Sequence, residues 1–317
     1  VDDLLGSADT TEEAVCILKE TKEVLEKRNI RLCKITSSST GVLKSFPVSE
    51  LSDTSALDFN ITETHRTLGL EWVTTEDSFV IKANVAEKPF TKRGVLATVN
   101  SLFDPLGIVA PITLRGKLLQ RSFLPPEKTG DPKIIRLGWD ESLPDEMRDD
   151  WEKWKGEMRN VRELGRIPRC YHPSNFGEIR ERTIHTFADA SKDAIAYVIF
   201  MRLVNTEGNV HVSFVFGNAK VAPRGATSIP RLELCAALEA SIAAKQFARE
   251  MGFDNDSFHL YSDSQVVLGY LRNDTRRFSR YVTRQIEMIL GCFSVERWSF
   301  VSTDKNPADV GTRPCES

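Results

Sequence analysis

Between residues 183 and 302 the order of hydrophobic patterns leaves few architectures open. Residues 183–188 and 194–204 are rich in β-branched and aromatic side chains. Residues 210–216 return in the same style after Glu207-Gly208-Asn209, the composition of a hairpin turn. Residues 229–251 are alanine-rich and predict one long helix, with Pro230 tolerated in its first turn. A strand is predicted over 258–262, a long helix over 276–290 and a closing strand over 294–302. Three antiparallel strands, a helix, a strand, helices, a strand and a short terminal helix describe an α/β domain.

Four acidic residues sit where they interrupt, end or begin these elements: Asp189, Glu233, Asp263 and Asp309. Each has a plain structural reading. Asp263 and Ser264 can cap the next helix. Glu233 can favour a positive helix N-terminus. Asp309, after Asn306-Pro307, can serve a turn. Asp189 is harder to explain that way, because it follows residues 184–188 in a strand that should be buried, and a bare buried carboxylate is costly. A few carboxylates from separate elements can hold two divalent ions for phosphodiester hydrolysis. Mg²⁺ takes such hard oxygen ligands, and without ions the carboxylates would repel one another. In this strand and helix order the four can meet at one edge of the sheet.

Upstream, Val15, Leu18, Val24 and Leu25 give residues 11–28 a helical apolar stripe. Residues 30–35 alternate and predict a short strand, and 37–41 a turn. Residues 68–73 and 78–81 predict a hairpin through 74–77. Leu96, Val99, Leu102 and Phe103 share a helical face that Asp104-Pro105-Leu106-Gly107 ends. Further helices are predicted over 111–123 and 144–158, with a loop at 124–132. A domain boundary is expected at 165–178, around Pro168, Pro173 and Gly177.

The 317 residues suit about two domains, and 41% hydrophobic with 27% charged residues is ordinary for a globular chain. No apolar run approaches the ~20 residues of a membrane span, and the start has no secretory pattern. Val1 in place of Met suggests a fragment or processed piece. Six scattered cysteines form no C-x-x-C pair, which disfavours a zinc ribbon and fits free thiols in a reducing, intracellular compartment. A net charge of −3 argues against coating nucleic acid by bulk charge, but not against a local basic track.

Several segments carry a family likeness. Residues 183–317 resemble the ribonuclease H domain of retroelement polyproteins. Ser262-Asp263-Ser264-Gln265-Val266-Val267-Leu268-Gly269 is similar to the retroviral and retrotransposon T/S-D-S-x-x-x-L-G segment. Asn306-Pro307-Ala308-Asp309-Val310-Gly311-Thr312-Arg313 is similar to the N-P-A-D-x-x-[ST]-R ending of LTR retrotransposons. Phe187-Ala188-Asp189-Ala190-Ser191 and Arg231-Leu232-Glu233-Leu234 match their first two acidic motifs. Thr91-Lys92-Arg93-Gly94-Val95-Leu96 and Phe103-Asp104-Pro105-Leu106-Gly107-Ile108-Val109-Ala110-Pro111 resemble the Bel/Pao retrotransposons in particular. Leu68-Gly69-Leu70-Glu71-Trp72 looks like that group's late reverse-transcriptase segment, and Asp2 and Asp3 like the tail of a Y-V-D-D polymerase motif.

The resemblance implies a palm remnant of α+β type over 1–86, a helical thumb or connection region over 87–177, and a ribonuclease H-like domain over 178–317 with a mixed five-stranded sheet and flanking helices. It implies a reverse-transcriptase polyprotein fragment, cytoplasmic or associated with an element particle and without a membrane partner, that cleaves the RNA strand of RNA/DNA hybrids. Asp189, Glu233, Asp263 and Asp309 would hold two Mg²⁺, with Mn²⁺ as a substitute. Polymerase activity is not expected from this piece. The chain departs from the family at Cys33-Lys34-Ile35-Thr36-Ser37, and residues 301–317 lack the His that many ribonucleases H carry there. No D-[ST]-G is present, so an aspartic peptidase is rejected. The alternative is an inactive or domesticated element protein that binds nucleic acid without cutting it. A DDE-type integrase is disfavoured by the S-D-S-Q and N-P-A-D words.

For substrate contacts, Arg276, Arg280 and Arg284 fall four apart on one predicted helix, with Arg272 and Arg277 nearby. They can track phosphates or form a solvated face. Lys88, Lys92, Arg93, Arg115 and Lys117 can extend the track. Ser191 and Gln265 can donate to a strand or serve as ordinary helix-start groups. Trp139, Trp151, Trp154 and Trp298 are expected in the core, His172 in a loop, and His185 and His259 in strands without a chemical role.

Overall fold

A computed structural model describes residues 4–52, 64–67, 70–81, 87–123, 137–223 and 228–313. Asp2, Asp3 and the loop expected at 124–132 lie outside the described residues. The chain divides into two units, residues 1–82 with 162–170 and residues 83–161 with 171–317.

In the first unit, α1 (Thr11–Glu26) starts at Thr10, whose hydroxyl accepts the Glu13 N–H at 3.1 Å. Val15 and Leu18 pack on a small core of Ile35, Val42, Leu43, Phe46 and Leu51, which includes part of α2 (Thr40–Lys44). The strand predicted over 30–35 does not form. Asn29 and Lys34 take left-handed φ angles of 57° and 59°, which break an extended run, and only Ile35 bridges, to Leu51. A separate antiparallel sheet has the order β1 (Thr64–Thr67), β2 (Leu70–Val73), β3 (Ser78–Val80), β4 (Ile167–Pro168). Its β2–β3 pair is the predicted hairpin. Strand β4, with two residues, is too short to leave a period-2 signal, and β1 is an addition to the expected hairpin.

The second unit begins with α3 (Lys92–Val99), capped by Thr91, and α4 (Ala110–Phe123). Between them Asp104 accepts the Ile108 and Val109 N–H groups at 2.9 and 2.8 Å, which turns the chain after Pro105. Helix α5 (Arg148–Arg159) starts later than predicted, because residues Asp145–Met147 take a 3-10 turn. A meander of β5 (Ile179–Ala190), β6 (Ala194–Asn205) and β7 (Val210–Val221) follows, then α6 (Ile229–Met251). After α6 come β8 (Phe258–Ser262), α7 (Gln265–Leu271), α8 (Arg280–Cys292) and β9 (Trp298–Phe300).

The sheet order is β7-β6-β5-β8-β9. The meander is antiparallel, while β8 joins β5 and β9 joins β8 in parallel. Ile184, Ala188, Ile199, Met201 and Leu203 pack against Leu234, Ala237, Ala240 and Ala244 of α6, in a core shared with α7 and α8. The alanines let α6 lie close to the strands. On β6, Ala194 and Ala196 alternate with Ile195 and Tyr197 and so point to the opposite face. There, with Ala219, they meet Leu114 and Leu118 of α4.

The Asp104 turn is tied to the edge strand. Leu106 accepts the Gly217 N–H at 2.9 Å. Gly107 takes φ 75°, and a Cβ built there would lie 1.8 Å from the Gly217 carbonyl oxygen. Gly107→Ala is expected to cost about 1–3 kcal/mol from the left-handed backbone alone, with the backbone clash adding to it. An unchanged urea midpoint would refute this.

Two further boundaries move. The helix predicted from residue 276 starts at Arg280, because Asn273 closes a loop by accepting the Arg276 N–H at 3.1 Å and donating to its carbonyl at 3.0 Å. The closing strand shortens to β9, after a 3-10 turn at Val295–Arg297.

Candidate metal centre

Parallel pairing of β5 and β8 places Ala188 opposite Ser262. The next residue in each case is an acid, Asp189 within β5 and Asp263 just past the end of β8, so two carboxylates stand at the same end of neighbouring strands. Ligand sites of open α/β sheets lie outside the carboxyl ends of strands in this way. Glu233 is the fifth residue of α6. That is past the first turn, beyond the reach of the helix dipole that would otherwise explain it. The cap of α7 is Ser264, whose hydroxyl accepts the Val267 N–H at 3.3 Å, so the Asp263 carboxylate is not spent on capping.

One oxygen from each of Asp189, Glu233 and Asp263 lies within 4.8 Å of the others. Asp189 is 4% exposed and Glu233 9%. Burial, with the neighbouring carboxylates, raises the Asp189 carboxyl above its ordinary range. The same causes push Glu233 up to about 8. Glu233 Oε2 and Asp263 Oδ1 are buried and find no hydrogen-bond partner among the described residues. Unpaired buried carboxylate oxygens are expensive, and a hard cation is the partner that fits a set with neither sulfur nor nitrogen.

The family model described as the Pao retrotransposon-like RNaseH-like domain matches residues 91–264, more than half of the chain. The chain belongs to this Pao family. The matched span contains the three converging acids and ends at Ser264. The mixed five-stranded sheet is therefore that of an RNase H-like domain. No curated protein matches the chain.

Among solved structures, RNase H1 from the halophilic archaeon Halobacterium salinarum is 20% identical, over 41% of this chain and 92% of that one, with a TM-score of 0.28. LC11-RNase H1 in complex with an RNA/DNA hybrid is 15% identical, over 41% and 91%, with a TM-score of 0.26. The prototype foamy virus protease-reverse transcriptase is 14% identical, over 63% of this chain and 31% of that one, with a TM-score of 0.20.

In this Pao-family chain Asp309 stands apart from the trio. It lies in the 3-10 turn Pro307–Gly311, and Arg313 Nε donates to its carboxylate at 2.8 Å. Its charge still adds to the upward push on Asp189. Three residues around it carry no role in the sequence reading, Asn306 and Thr312 standing there only as letters of a motif and Thr303 not at all. Asn306 is buried and donates to the Ala188 carbonyl at 3.1 Å, docking the terminal segment on β5. Thr312 donates to the Asp189 carboxylate. Thr303 donates to Asp263 Oδ2 at 2.7 Å. The only sequence signal for Asn306 and Thr312 was their place in the N-P-A-D-x-x-[ST]-R ending.

The expected substrate contacts fare unequally. Ser191 donates to the Thr312 carbonyl at 3.1 Å and accepts the Asp193 and Ala194 N–H groups, so its hydroxyl closes the β5–β6 turn. Gln265 is exposed at the start of α7. Arg280 and Arg284 lie exposed on α8, whereas Arg276 and Arg277 lie in the preceding loop and Arg272 at the end of α7. The single helical stripe is thus replaced by two arginines on a helix and three on a loop and helix end. Trp151, Trp154 and Trp298 are core residues as expected, but Trp139 is 49% exposed. His185 and His259 stack at 5.0 Å across β5 and β8, and burial pushes His185 down to about 4, which keeps it neutral. No helix among the described residues is long and apolar enough to cross a membrane.

Proposed function

We propose that this chain is a metal-dependent ribonuclease H that cuts the RNA strand of RNA/DNA hybrids, as the C-terminal part of a retrotransposon reverse transcriptase. The observation that carries the reading is the convergence of Asp189, Glu233 and Asp263 with two orphaned buried oxygens among them. Asp189, Glu233 and Asp263 are the ion ligands, and Asp309 joins them by leaving Arg313. Two Mg²⁺, or Mn²⁺ in their place, supply Lewis acidity and an activated water when bound. Attack of water on the RNA phosphodiester would break the bond to the 3′ oxygen and leave a 3′-hydroxyl and a 5′-phosphate. Arg272, Arg276, Arg277, Arg280 and Arg284, exposed and without an ion pair among the described residues, grip the hybrid backbone, with Gln265 beside the site.

In this reading residues 1–86 are the palm remnant, 87–177 the connection region and 178–317 the nuclease domain. The partner is the remainder of the polyprotein, and the setting is cytoplasmic. The test is a labelled hybrid titrated with Mg²⁺. Cleavage should appear with the ion, and Asp263→Asn should lower it by about 10³-fold or more, since the lost stabilisation is several kcal/mol, while the melting temperature holds. Hybrid binding without cleavage at every Mg²⁺ and Mn²⁺ concentration would favour the domesticated binding protein instead.

A further inference from the structure

The segment from Thr303 to Thr312 touches the carboxylate trio through hydroxyl groups, and nothing in its composition requires that. Asn306 anchors the segment on β5, one residue before Asp189, through its 3.1 Å bond to the Ala188 carbonyl. Its own Oδ1 accepts the Ala308 N–H at 3.2 Å and starts the last 3-10 turn. That turn brings Thr312, a buried residue, against Asp189. Thr312 Oγ1 also lies 3.0 Å from the Asp309 carbonyl, which accepts the Thr312 and Arg313 N–H groups too. On the other side of the anchor, Thr303 holds Asp263 Oδ2 at 2.7 Å and leaves Oδ1 buried and unpartnered.

We infer that Thr303 and Thr312 are positioning residues that lock the Asp263 and Asp189 carboxylates in the rotamers an ion needs. The inference rests on the metal-site reading above and adds a role to residues that touch neither ion nor substrate. Two like-charged carboxylates left unlocked would rotate apart to relieve their repulsion. Each threonine engages one carboxylate, on Oδ2 in both cases, so the remaining oxygen has a set direction. The fixed anchor at Asn306 makes the two locks one device, because the same ten-residue segment, Thr303 to Thr312, carries both.

The test is Mn²⁺ binding to the full chain without nucleic acid, followed by the electron paramagnetic resonance signal of free Mn²⁺. Partners of metal ligands typically govern affinity by about 10–100-fold, and Thr312→Val and Thr303→Val should each weaken Mn²⁺ binding in that range. Thr312→Ser, which keeps the hydroxyl, should return to near the wild-type value. In hybrid cleavage, the valine variants should need more Mg²⁺ for half-maximal rate and reach a similar rate at saturation. Because Thr312 is buried, circular dichroism and melting check that Thr312→Val folds. Thr303 is exposed and carries the test if it does not. Wild-type affinity in Thr303→Val, or in a folded Thr312→Val, overturns the inference, as does a serine variant as weak as the valine. A wild-type chain that binds no Mn²⁺ is a different failure: it removes the metal site itself and the inference with it.

Discussion

Glu233→Gln is expected to make the ion-free protein more stable at pH 8.5 while destroying Mg²⁺-dependent cleavage. In the folded, ion-free state the Glu233 carboxyl titrates at about 8, against an ordinary 4.5. The unfolded chain therefore holds fewer protons than the folded one between those values. Stability contributed by protonated Glu233 is fully present below about 4.5 and is lost as pH rises through about 8. The loss is on the order of several kcal/mol, since each pKa unit corresponds to about 1.4 kcal/mol. A glutamine keeps the shape and never ionises, so its advantage should be near zero at pH 4.5 and largest above pH 8. That corresponds to a melting-temperature difference on the order of 10 °C for a unit of this size. Mg²⁺ should reverse the order, because only the wild-type trio gains fully from binding. Parallel melting curves for the two proteins across pH 5 to 8.5 in chelator would show that Glu233 is not held in a repulsive, buried site.

Trp154→Ala is expected to lower stability by about 3–5 kcal/mol, the range for deleting a large buried aromatic side chain. Trp154 is fully buried, its ring stacks on Trp151 at 4.8 Å, and its Nε1–H donates to the Ile112 carbonyl at 2.8 Å. The ring also fills the space in front of Gly116, where a Cβ would come within 2.2 Å of it. Helices α4 and α5 are thus fitted to each other through this one side chain. Because α4 packs on Ala194 and Ala196, and Ala196 pairs with Asp189, the variant should also weaken cleavage. Urea denaturation of the second unit measures the loss. Trp139→Ala serves as the control, since an exposed side chain should move the midpoint by less than about 0.5 kcal/mol. Equal midpoints for the two variants would mean that Trp154 does not hold α4 in place.

Long elements were legible in the residues for physical reasons. Helix α6 announces itself by a run of alanines and leucines over 229–251 and ends at Gly252 with φ 67°. Strand β8 at 258–262 is a short apolar alternation between polar turns. Misread segments had local chemistry that competes with periodicity. The 30–35 alternation is overruled by left-handed Asn29 and Lys34, and the arginine-bearing helix is cut short by the Asn273 loop. Strands β1 and β4 add pairing partners that only a folded chain can supply.

Residue order, with the family-like words around them, singled out four acids as candidates. Spacing along the chain carries no distance between Asp189, Glu233 and Asp263. Parallel registration of β8 on β5, with α6 packed on the sheet, brings those three together. The Asn306 anchor on β5 turns two threonines of the terminal segment toward the carboxylates, while Asp309 is held locally by Arg313, four residues on. Local chemistry selects residue types, but strand register and side-chain packing, which act between residues far apart in sequence, decide which of them meet.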